Sequence, residues 1–587
     1  MKLAAHCRAR VRDDARCPRS ALGATLLAAS LLATGCAAPS WRHVPHDRLF
    51  QRTAPAELHA EPKELDPSDW WGSFYYGSLA QLGALVSPGR YAQEAFAYER
   101  ALDVNAFGQV PDSTWFENRH ARRRMSPGAI YRGPCTSEGP APGKLAVKSG
   151  KTEGVTPGLV VEDSAGQGWV VKFDPPAYPE LNSGAEVIST NLLHAAGYHV
   201  PENYVVRFRL DRLESSPKAT TKDRYGRKVP FTPALLAATL SHLIPESDGR
   251  VRAMFSKYLP GKPVGPFPLR GVRLDDPNDR IPHERRRSLR GLWVFYAWLN
   301  NTDAKEPNGL DIFVKPDGAP PELGYVKHFL IDFGTSLGAS PHGPKAMIDG
   351  HEYLIDWQHV LGRLFTLGIE YPYWVTAKPT PLRSVGQFES EVFDPARWHP
   401  LYPNVPFERA DALDTFWAAS ILAHFDARSV AAAVAAGEYT DPAASAFVTY
   451  TLLERRDKIL RYAFRDLAPL DQPRIEGGRT LVLVDLELAA GFEPPARSRY
   501  PWRLVWHGDD GDVVVAKGVA PRPRIELDAL RRAFAPRFGT DTGAPFYTLE
   551  MGRAKPPGRP TKPRVDVHLR LLSPDRWIAV GMERVKK

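Results

Sequence analysis

Two stretches decide the fold of this chain of 587 residues. Residues 298–308 read WLNNTDAKEPN and residues 328–338 read HFLIDFGTSLG. In the first stretch, Asp303 and Asn308 lie five positions apart after a predicted helix; the carboxylate can orient a hydroxyl proton and the amide oxygen can bind Mg²⁺. In the second stretch, an apolar strand leads Asp332 into a turn made flexible by Gly334. The two stretches therefore predict a metal site between a helix end and a strand end.

Three features lie upstream of these loops. Lys172 lies within the apolar strand WVVKF (residues 169–173) and needs a partner there, because a buried unpaired ammonium is costly. Glu186 lies near the start of the helix predicted over 185–195. The turn EGVTPG (residues 153–158), with Gly154 and Gly158, can present backbone N–H groups to phosphate oxygens. Each also has an ordinary explanation: a solvent-facing lysine, a solvated helix residue and a hairpin turn.

In their order and spacing, these features resemble the protein-kinase-like superfamily. Residues 298–308 look like the catalytic loop of HipA-like bacterial kinases. Residues 331–338 look like the metal loop of HipA-like kinases and of phosphatidylinositol 3-/4-kinases. The resemblance covers about residues 141–466. It implies an α+β, two-lobed protein-kinase-like fold with ATP bound between a strand lobe and a helical lobe.

The resemblance also implies roles for individual residues. Lys172 would hold ATP phosphates and Glu186 would pair with it, beside the turn of Gly154 and Gly158. Asp303 would orient the acceptor, with Lys305 two positions later, where it could reach the transferred phosphate. The cofactors would be ATP and Mg or Mn, with the metal bound by Asn308 and Asp332. Residues 256–265 would join the lobes near the adenine.

The chain departs from the family pattern at several positions. A G-x-G-x-x-G loop is missing before Lys172, and Asn301 and Thr302 stand where a kinase catalytic loop has His and Arg. The insert at about 211–250 has no clear counterpart. Gly334-Thr-Ser336-Leu-Gly338 matches a serine-hydrolase elbow by chance, since the prolines and glycine at 341–344 break the helix that such an elbow requires. The departures leave the acceptor open.

The N-terminus has the layout of an export signal. Residues 1–20 are basic, residues 21–34 form a short apolar run, and Ala33-Thr34-Gly35-Cys36 resembles a bacterial lipobox. We expect residues 1–35 to be a signal peptide and Cys36 to carry lipid, which anchors an exported lipoprotein to a membrane of the bacterial envelope. A plain cleaved signal or a mis-assigned start codon are the alternatives.

Charge and cysteine content exclude some classes of protein. The net charge is +9, but residues 1–35 hold six basic and two acidic side chains, so the remainder carries about +5. That balance gives no reason to expect a nucleic-acid partner. Beyond Cys36 only Cys135 remains, which excludes an internal disulfide and a CxxC metal or redox pair. The 55 prolines exclude a simple helical bundle.

The chain divides by pattern into a leader and three regions. Residues 36–140 are rich in proline and aromatic residues and would wrap the next domain through Trp70, Trp71, Phe74, Tyr75, Tyr76 and Trp115. Residues 141–466 are kinase-like, with an N-lobe over about 141–265 and a C-lobe over about 266–466. In the C-lobe one long helix is predicted over 283–299, with Arg285, Arg286 and Arg287 on a solvated face. Residues 467–587 read as a β-sandwich-like domain.

The predicted function is ATP- and Mg-dependent phosphoryl transfer, with a protein hydroxyl as the favoured acceptor. One alternative is a kinase-like lipoprotein that binds without catalysis, because an exported protein meets little ATP. The other is a kinase for a small molecule or a lipid. The partners expected are an unidentified protein or small-molecule acceptor and the membrane, reached through the N-terminal lipid.

Overall fold

The structure is a computed structural model. It describes residues 56–65, 99–150, 158–222, 227–366, 369, 372–492, 494, 498–508, 510–531, 545–554, 563–573 and 576–585. The predicted signal peptide, Cys36, Gly154 and the aromatic residues between 70 and 76 lie outside the described residues.

Strands and helices alternate in blocks along the chain. The strands are β1 (His59–Ala60), β2 (Leu145–Gly150), β3 (Gly158–Glu162), β4 (Gly168–Lys172), β5 (Asn203–Phe208), β6 (Leu213–Lys222), β7 (Lys228–Pro230), β8 (Val251–Lys257), β9 (Lys262–Pro263), β10 (Gly309–Val314), β11 (Leu323–Leu330), β12 (Ala339–Ser340), β13 (Gly343–Pro344), β14 (Leu470–Glu476), β15 (Thr480–Asp485), β16 (Tyr500–Gly508), β17 (Gly511–Ala520), β18 (Arg524–Glu526), β19 (Phe546–Gly552), β20 (Arg564–Ser573) and β21 (Arg576–Val585). The helices are α1 (Pro127–Arg132), α2 (Leu181–Ala196), α3 (Pro233–Leu240), α4 (Arg287–Arg290), α5 (Leu292–Leu299), α6 (Trp357–Phe365), α7 (Val405–Glu408), α8 (Ala412–Leu422), α9 (Ala427–Ala435), α10 (Pro442–Ala463), α11 (Leu486–Ala489) and α12 (Leu527–Arg531).

The first lobe is built on a seven-stranded sheet in the order β5-β8-β4-β3-β2-β6-β7. Its neighbours pair antiparallel except β2 and β6, which are parallel. Alternate residues along β2, β3 and β4 are buried in one core, including Val147, Val161 and Val171. The insert that had no counterpart in the sequence supplies β6, β7 and α3, so it extends this sheet.

Helix α2 carries Glu186 and begins earlier than its sequence pattern predicts. The sequence predicts a helix over 185–195, but the helix starts at Leu181 and Ser183 lies inside its first turn. The carboxylate of Asp174 accepts hydrogen bonds from the backbone N–H groups of Asn182 and Ser183, both at 2.8 Å. A carboxylate from the preceding loop therefore satisfies N–H groups that the helix cannot bond itself.

The second lobe is helical, and its core joins α2, α5, α8, α9 and α10. The single helix predicted over 283–299 was wrong: a 3₁₀ turn, α4 and α5 occupy this stretch, with α5 starting after Gly291. A Cβ on Gly291 would come within 2.7 Å of the Trp417 ring, so close helix packing requires glycine here.

The solvated arginine face predicted over 285–287 was also wrong. Arg286 and Arg287 are buried, because Arg286 pairs with Asp279 at 2.7 Å and Arg287 pairs with Asp414 at 2.9 Å. Each buried guanidinium has a buried carboxylate as its partner, which offsets the loss of water. These pairs fix the start of the helical lobe.

A small sheet lies at the junction of the two lobes, in the order β1-β11-β10-β9. Strand β8 ends at Lys257, and the chain then enters β9, whose Pro263 pairs with Ile312 of β10. Strand β10 begins directly after Asn308, and β11 ends two residues before Asp332. Their antiparallel register sets Gly309 opposite Leu330, so the two loops of interest emerge at the same end of this sheet.

The C-terminal region is β-rich. Sheets of order β14-β15-β18 and β17-β16-β19-β20-β21 share one core, which includes Leu481, Leu504, Leu549 and Trp577. The predicted α+β class, with a strand lobe, a helical lobe and C-terminal β layers, is confirmed. No helix within the described ranges is both long and apolar enough for a bilayer span.

Candidate active site

Lys172 is the centre of the site. It ends β4 directly opposite Gly158 on β3, and its Nζ lies 3.0 Å from Glu186 Oε2 and 2.7 Å from Asp332 Oδ1. The lysine therefore joins three elements: the strand sheet, helix α2 and the loop after β11. A strand lysine that pairs with a helix carboxylate is the arrangement that the sequence order predicts.

Burial and charge act on Lys172 in opposite directions. Burial alone would lower the pKa of its ammonium, but the negative charges of Asp332 and Glu186 outweigh that effect and hold the pKa above its ordinary value of 10.5. The group is therefore charged at every physiological pH. A fixed positive charge in a partly enclosed position is suited to binding an anion.

Glu186 is held from two sides. Its Oε2 accepts from Lys172 and its Oε1 accepts from the backbone N–H of Phe333 at 3.0 Å. A Cβ on Gly334 would come within 2.9 Å of Oε2, so glycine leaves the room that the carboxylate fills. The residues after Asp332 thus position the carboxylate that pairs with Lys172.

The backbone at Asp332 is in the left-handed region, with φ of 63°. Non-glycine residues rarely adopt this conformation, and they concentrate where surrounding contacts force a functional geometry. Asn182 Nδ2 supplies such contacts by donating to the carbonyls of Gly334 at 2.7 Å and Ser340 at 3.0 Å. The Asp332 side chain stays 39% exposed, which leaves its carboxylate accessible.

The second loop presents Asp303, Lys305 and Asn308. Lys305 Nζ lies 3.3 Å from Asp303 Oδ1, and Asn308 Nδ2 donates to the Asp303 carbonyl at 2.7 Å. The Asp303 side chain is 15% exposed and the Lys305 side chain 37% exposed, so both charged groups are accessible to solvent. The loop is compact because the asparagine closes it onto the backbone of the aspartate.

The two loops meet in one place. The Ile331 N–H donates to the Asn308 carbonyl at 3.0 Å, which fixes the approach to Asp332 against the end of the other loop. Burial would lower the pKa of Lys305, but the charges of Asp303 and Asp332 outweigh burial and raise it. The hydrogen bond between the loops and the shared electrostatic influence on Lys305 place the described candidate residues in one region.

Lys345 is a site residue that the sequence did not indicate. It is buried, and its Nζ donates to Thr302 Oγ1 at 2.6 Å and to the Asn300 carbonyl at 3.2 Å. Burial lowers the pKa of this ammonium to about 8, against the attraction of Asp349 and Asp303. Lys345 lies 42 residues after Asp303, in a loop without a recognisable motif. The sequence therefore gave no indication of its contact with Thr302.

The structure therefore brings together Lys172, Glu186, Asp303, Lys305, Asn308 and Asp332, with Gly158 across the strand from Lys172. Ser336 is not part of this group: its hydroxyl is buried and donates to backbone carbonyls. Placed so, it is unsuited to the serine nucleophile of a hydrolase elbow.

The donor set fits a hard divalent cation. Asp332 supplies a carboxylate and Asn308 an amide oxygen, and Mg²⁺ characteristically takes one or two protein oxygens and completes its shell with phosphates and water. Across the described part of the chain, His, Cys, Asp and Glu side chains form no group of three able to hold a metal. The residues present thus fit a metal held jointly with a phosphate ligand better than an all-protein metal cage.

Comparison with known proteins yields a fold-level likeness only. Neither a protein-family model nor a curated protein sequence matches the chain. Two solved structures are similar to it. The Golgi casein kinase is 13% identical, with a TM-score of 0.23 and 62% of this chain and 92% of that chain covered; the Golgi casein kinase with Mn/ADP bound is 12% identical, with a TM-score of 0.23 and 63% and 95% covered. A likeness this distant assigns no function. Any functional proposal has to be argued from the contacts of the site.

Proposed function

We propose that this protein is an ATP- and Mg²⁺- or Mn²⁺-dependent phosphotransferase that acts on a hydroxyl group, with a protein hydroxyl as the favoured acceptor. The observation that supports this most directly is the pair of contacts of Lys172 with Glu186 and Asp332, at 3.0 and 2.7 Å, beside the loop that carries Asp303 and Asn308. In phosphoryl transfer the protein does little covalent chemistry. It mainly positions the reactants and places fixed charges where the phosphates and the attacking hydroxyl bind.

Each side chain has a role that its surroundings allow. Lys172 binds phosphate oxygens and Glu186, fixed by the Phe333 N–H, orients the ammonium. Asp303 accepts the proton of the acceptor hydroxyl at its carboxylate, and Lys305, whose Nζ lies 3.3 Å from that carboxylate, stabilises the negative charge of the transferred phosphate. Asn308 and Asp332 would hold the metal, which would neutralise the charge of the phosphoryl group that ATP supplies, with ADP as the leaving group.

We further propose that the enzyme is exported and anchored to the bacterial envelope through lipid at Cys36. The support is the basic region, short apolar run and lipobox-like residues before Cys36. The charge of about +5 beyond the leader supports an acceptor other than nucleic acid.

The test is nucleotide binding followed by transfer. ATP with MnCl₂ or MgCl₂ should raise the melting temperature of the full chain, since a ligand that binds only the folded state stabilises it. Asp332→Asn should abolish the metal-dependent part of the shift, whereas Asp317→Asn, at an exposed turn residue, should leave it unchanged.

Radiolabelled ATP then distinguishes a phosphotransferase from a kinase-like lipoprotein that binds without catalysis. Label transferred to protein by the wild type and lost in Asp303→Asn supports the phosphotransferase. A melting shift without transfer to protein, lipid or small-molecule acceptors would leave a kinase-like binding lipoprotein. The absence of both shift and transfer would refute nucleotide-dependent function altogether.

A further inference from the structure

Helix α6 turns apolar side chains toward solvent. Val360, Leu361, Leu364 and Phe365 follow the i, i+1, i+4, i+5 spacing that sets residues on one helix face. Leu364 is 65% exposed and Phe365 81% exposed. Leu354 and Ile355 before the helix and Ile369 after it are exposed as well. We call these seven residues the α6 face; contiguous apolar surface of this kind marks an interaction site in a folded protein.

The titratable side chains of the same helix, His359 and Arg363, are about one third exposed and are paired with buried carboxylates. Arg363 pairs with Glu352, which is buried and also accepts from Trp374 Nε1 at 2.8 Å. His359 Nδ1 lies 3.0 Å from the buried Asp356, which caps the helix through the His359 N–H. An ordinary surface helix buries its apolar stripe and solvates its charges. Helix α6 instead leaves large apolar side chains exposed while its charges are paired within the protein, so its exposed side is suited to an apolar environment.

The α6 face is tied to the candidate active site by backbone hydrogen bonds. The Leu354 N–H donates to the Leu401 carbonyl at 2.8 Å, and the Leu401 N–H donates to the Thr302 carbonyl at 2.8 Å. Thr302 immediately precedes Asp303. Whatever binds the α6 face is therefore held close to the loop that carries the proposed acceptor-side carboxylate.

We infer that the α6 face docks on a lipid surface. Next to α6 lie Trp374, which shares Glu352 with Arg363 of the helix, and its neighbour Tyr373, whose ring centre is 4.7 Å from the Arg397 guanidinium. Leu and Phe that enter the acyl region, next to Trp, Tyr and Arg at headgroup level, are the features of helices that lie in a membrane interface.

The chain before the described residues supports a lipid surface over other occupants. Cys36, the predicted lipidated residue, precedes Ala56 by twenty positions. Twenty residues span at most about 70 Å when extended. This support rests on the lipid anchor proposed above: lipid at Cys36 would keep Ala56 within about that distance of a bilayer, so that apolar insertion becomes an intramolecular event with a raised effective concentration.

Vesicle binding tests the inference. The full chain with Cys36→Ser, which cannot be acylated there, should co-sediment with vesicles of phosphatidylethanolamine and phosphatidylglycerol. In that background, L364E with F365E should weaken binding at least about tenfold, since two large apolar side chains are lost from the apolar phase. The control pair L274E with V519E, at exposed apolar positions elsewhere, should leave binding unchanged. Binding should persist in about 0.5 M NaCl, because the charges of α6 are paired within the protein.

Each contrary result overturns the inference. Failure of the Cys36→Ser chain to bind vesicles would show that the face is not a lipid surface, and equal binding by the L364E/F365E variant would place the contact elsewhere. A concentration-dependent dimer that the variant abolishes, without vesicle binding, would assign the face to a second copy. A lower melting temperature of the variant but not of the control pair would show that the face is covered within the chain.

Discussion

Lys172→Met tests whether the ion pairs at the centre of the site are as strong as their geometry indicates. At 3.0 Å and an effective dielectric constant near 20, one pair has a Coulomb energy of about 5 kcal/mol, most of which offsets desolvation. Removing one partner of a buried pair costs about 3–5 kcal/mol, because the other charge is left uncompensated. Glu186 is 3% exposed and Asp332 39% exposed, so only Glu186 counts in full. We expect the free energy of unfolding to fall by about 3 kcal/mol.

The assay is urea denaturation at pH 7, followed by tryptophan fluorescence. The pKa of Lys172 lies above its ordinary value of 10.5, so its contribution is fully present below pH 10.5 and is lost only as the pH rises through the raised pKa. Glu186→Gln in the Lys172→Met background should recover at least about 1 kcal/mol by removing the unpaired charge.

Lys148→Met is the matched control for this experiment. It breaks a strand ion pair of similar length, 2.9 Å to Glu162, in the same sheet, but both side chains are more than 40% exposed. We expect a loss below about 1 kcal/mol, as for exposed pairs in general. A Lys172→Met loss no larger than this control, or a double variant no more stable than Lys172→Met, would refute the reasoning.

Two further substitutions test the loops around the site. Lys345→Met removes an ammonium whose pKa burial lowers to about 8; since the unfolded chain binds this proton up to about pH 10.5, the stability of the wild type relative to the variant should rise between pH 8 and 10, measured by urea titration at each pH. A flat difference would contradict the buried charge. Gly338→Ala should cost at least about 2 kcal/mol, because φ is +72° and the new Cβ would lie 2.2 Å from the Gln387 backbone. Gly318→Ala, at φ +78° with nothing within 4 Å, isolates the backbone cost and should lose less; equal losses would contradict the clash.

The order of strands and helices followed from the sequence because apolar periodicity decides it. The apolar pattern of residues 252–258 predicts a strand, which is found at Val251–Lys257, and that of residues 443–462 predicts a helix, which is found at Pro442–Ala463. The domain boundaries stay predictions. Breaks that depend on tertiary contacts were missed: Gly291 interrupts a continuous helical pattern because the Trp417 ring occupies the space beside it. The burial of Arg286 was equally hidden, since its partner Asp279 becomes visible only in three dimensions.

The candidate site, like the fold, was predictable where the sequence carries a recognisable pattern. Lys172, Asp303, Asn308 and Asp332 stand in recognisable spacing, and their contacts are consistent with that pattern. Contacts made by residues of common type in unmarked positions left no signal. In the sequence, Asn182 has no feature beyond its place near a helix start. In the structure, its side-chain amide donates hydrogen bonds to two backbone carbonyls after Asp332, those of Gly334 and Ser340.

Lys345 gives a physical explanation for the two positions at which residues 298–308 differ from the kinase pattern that they resemble. Kinase loops carry His and Arg before the catalytic Asp, whereas this chain has Asn301 and Thr302. The Thr302 hydroxyl and the Asn300 carbonyl both accept from the Lys345 ammonium. A buried cation from the segment after Asp332 therefore holds the backbone just before Asp303. A short threonine leaves the room that such a lysine needs, and an arginine in its place would bring two buried cations together. Loss of the usual pair is therefore compatible with a rigid Asp303 loop, provided that Lys345 is present.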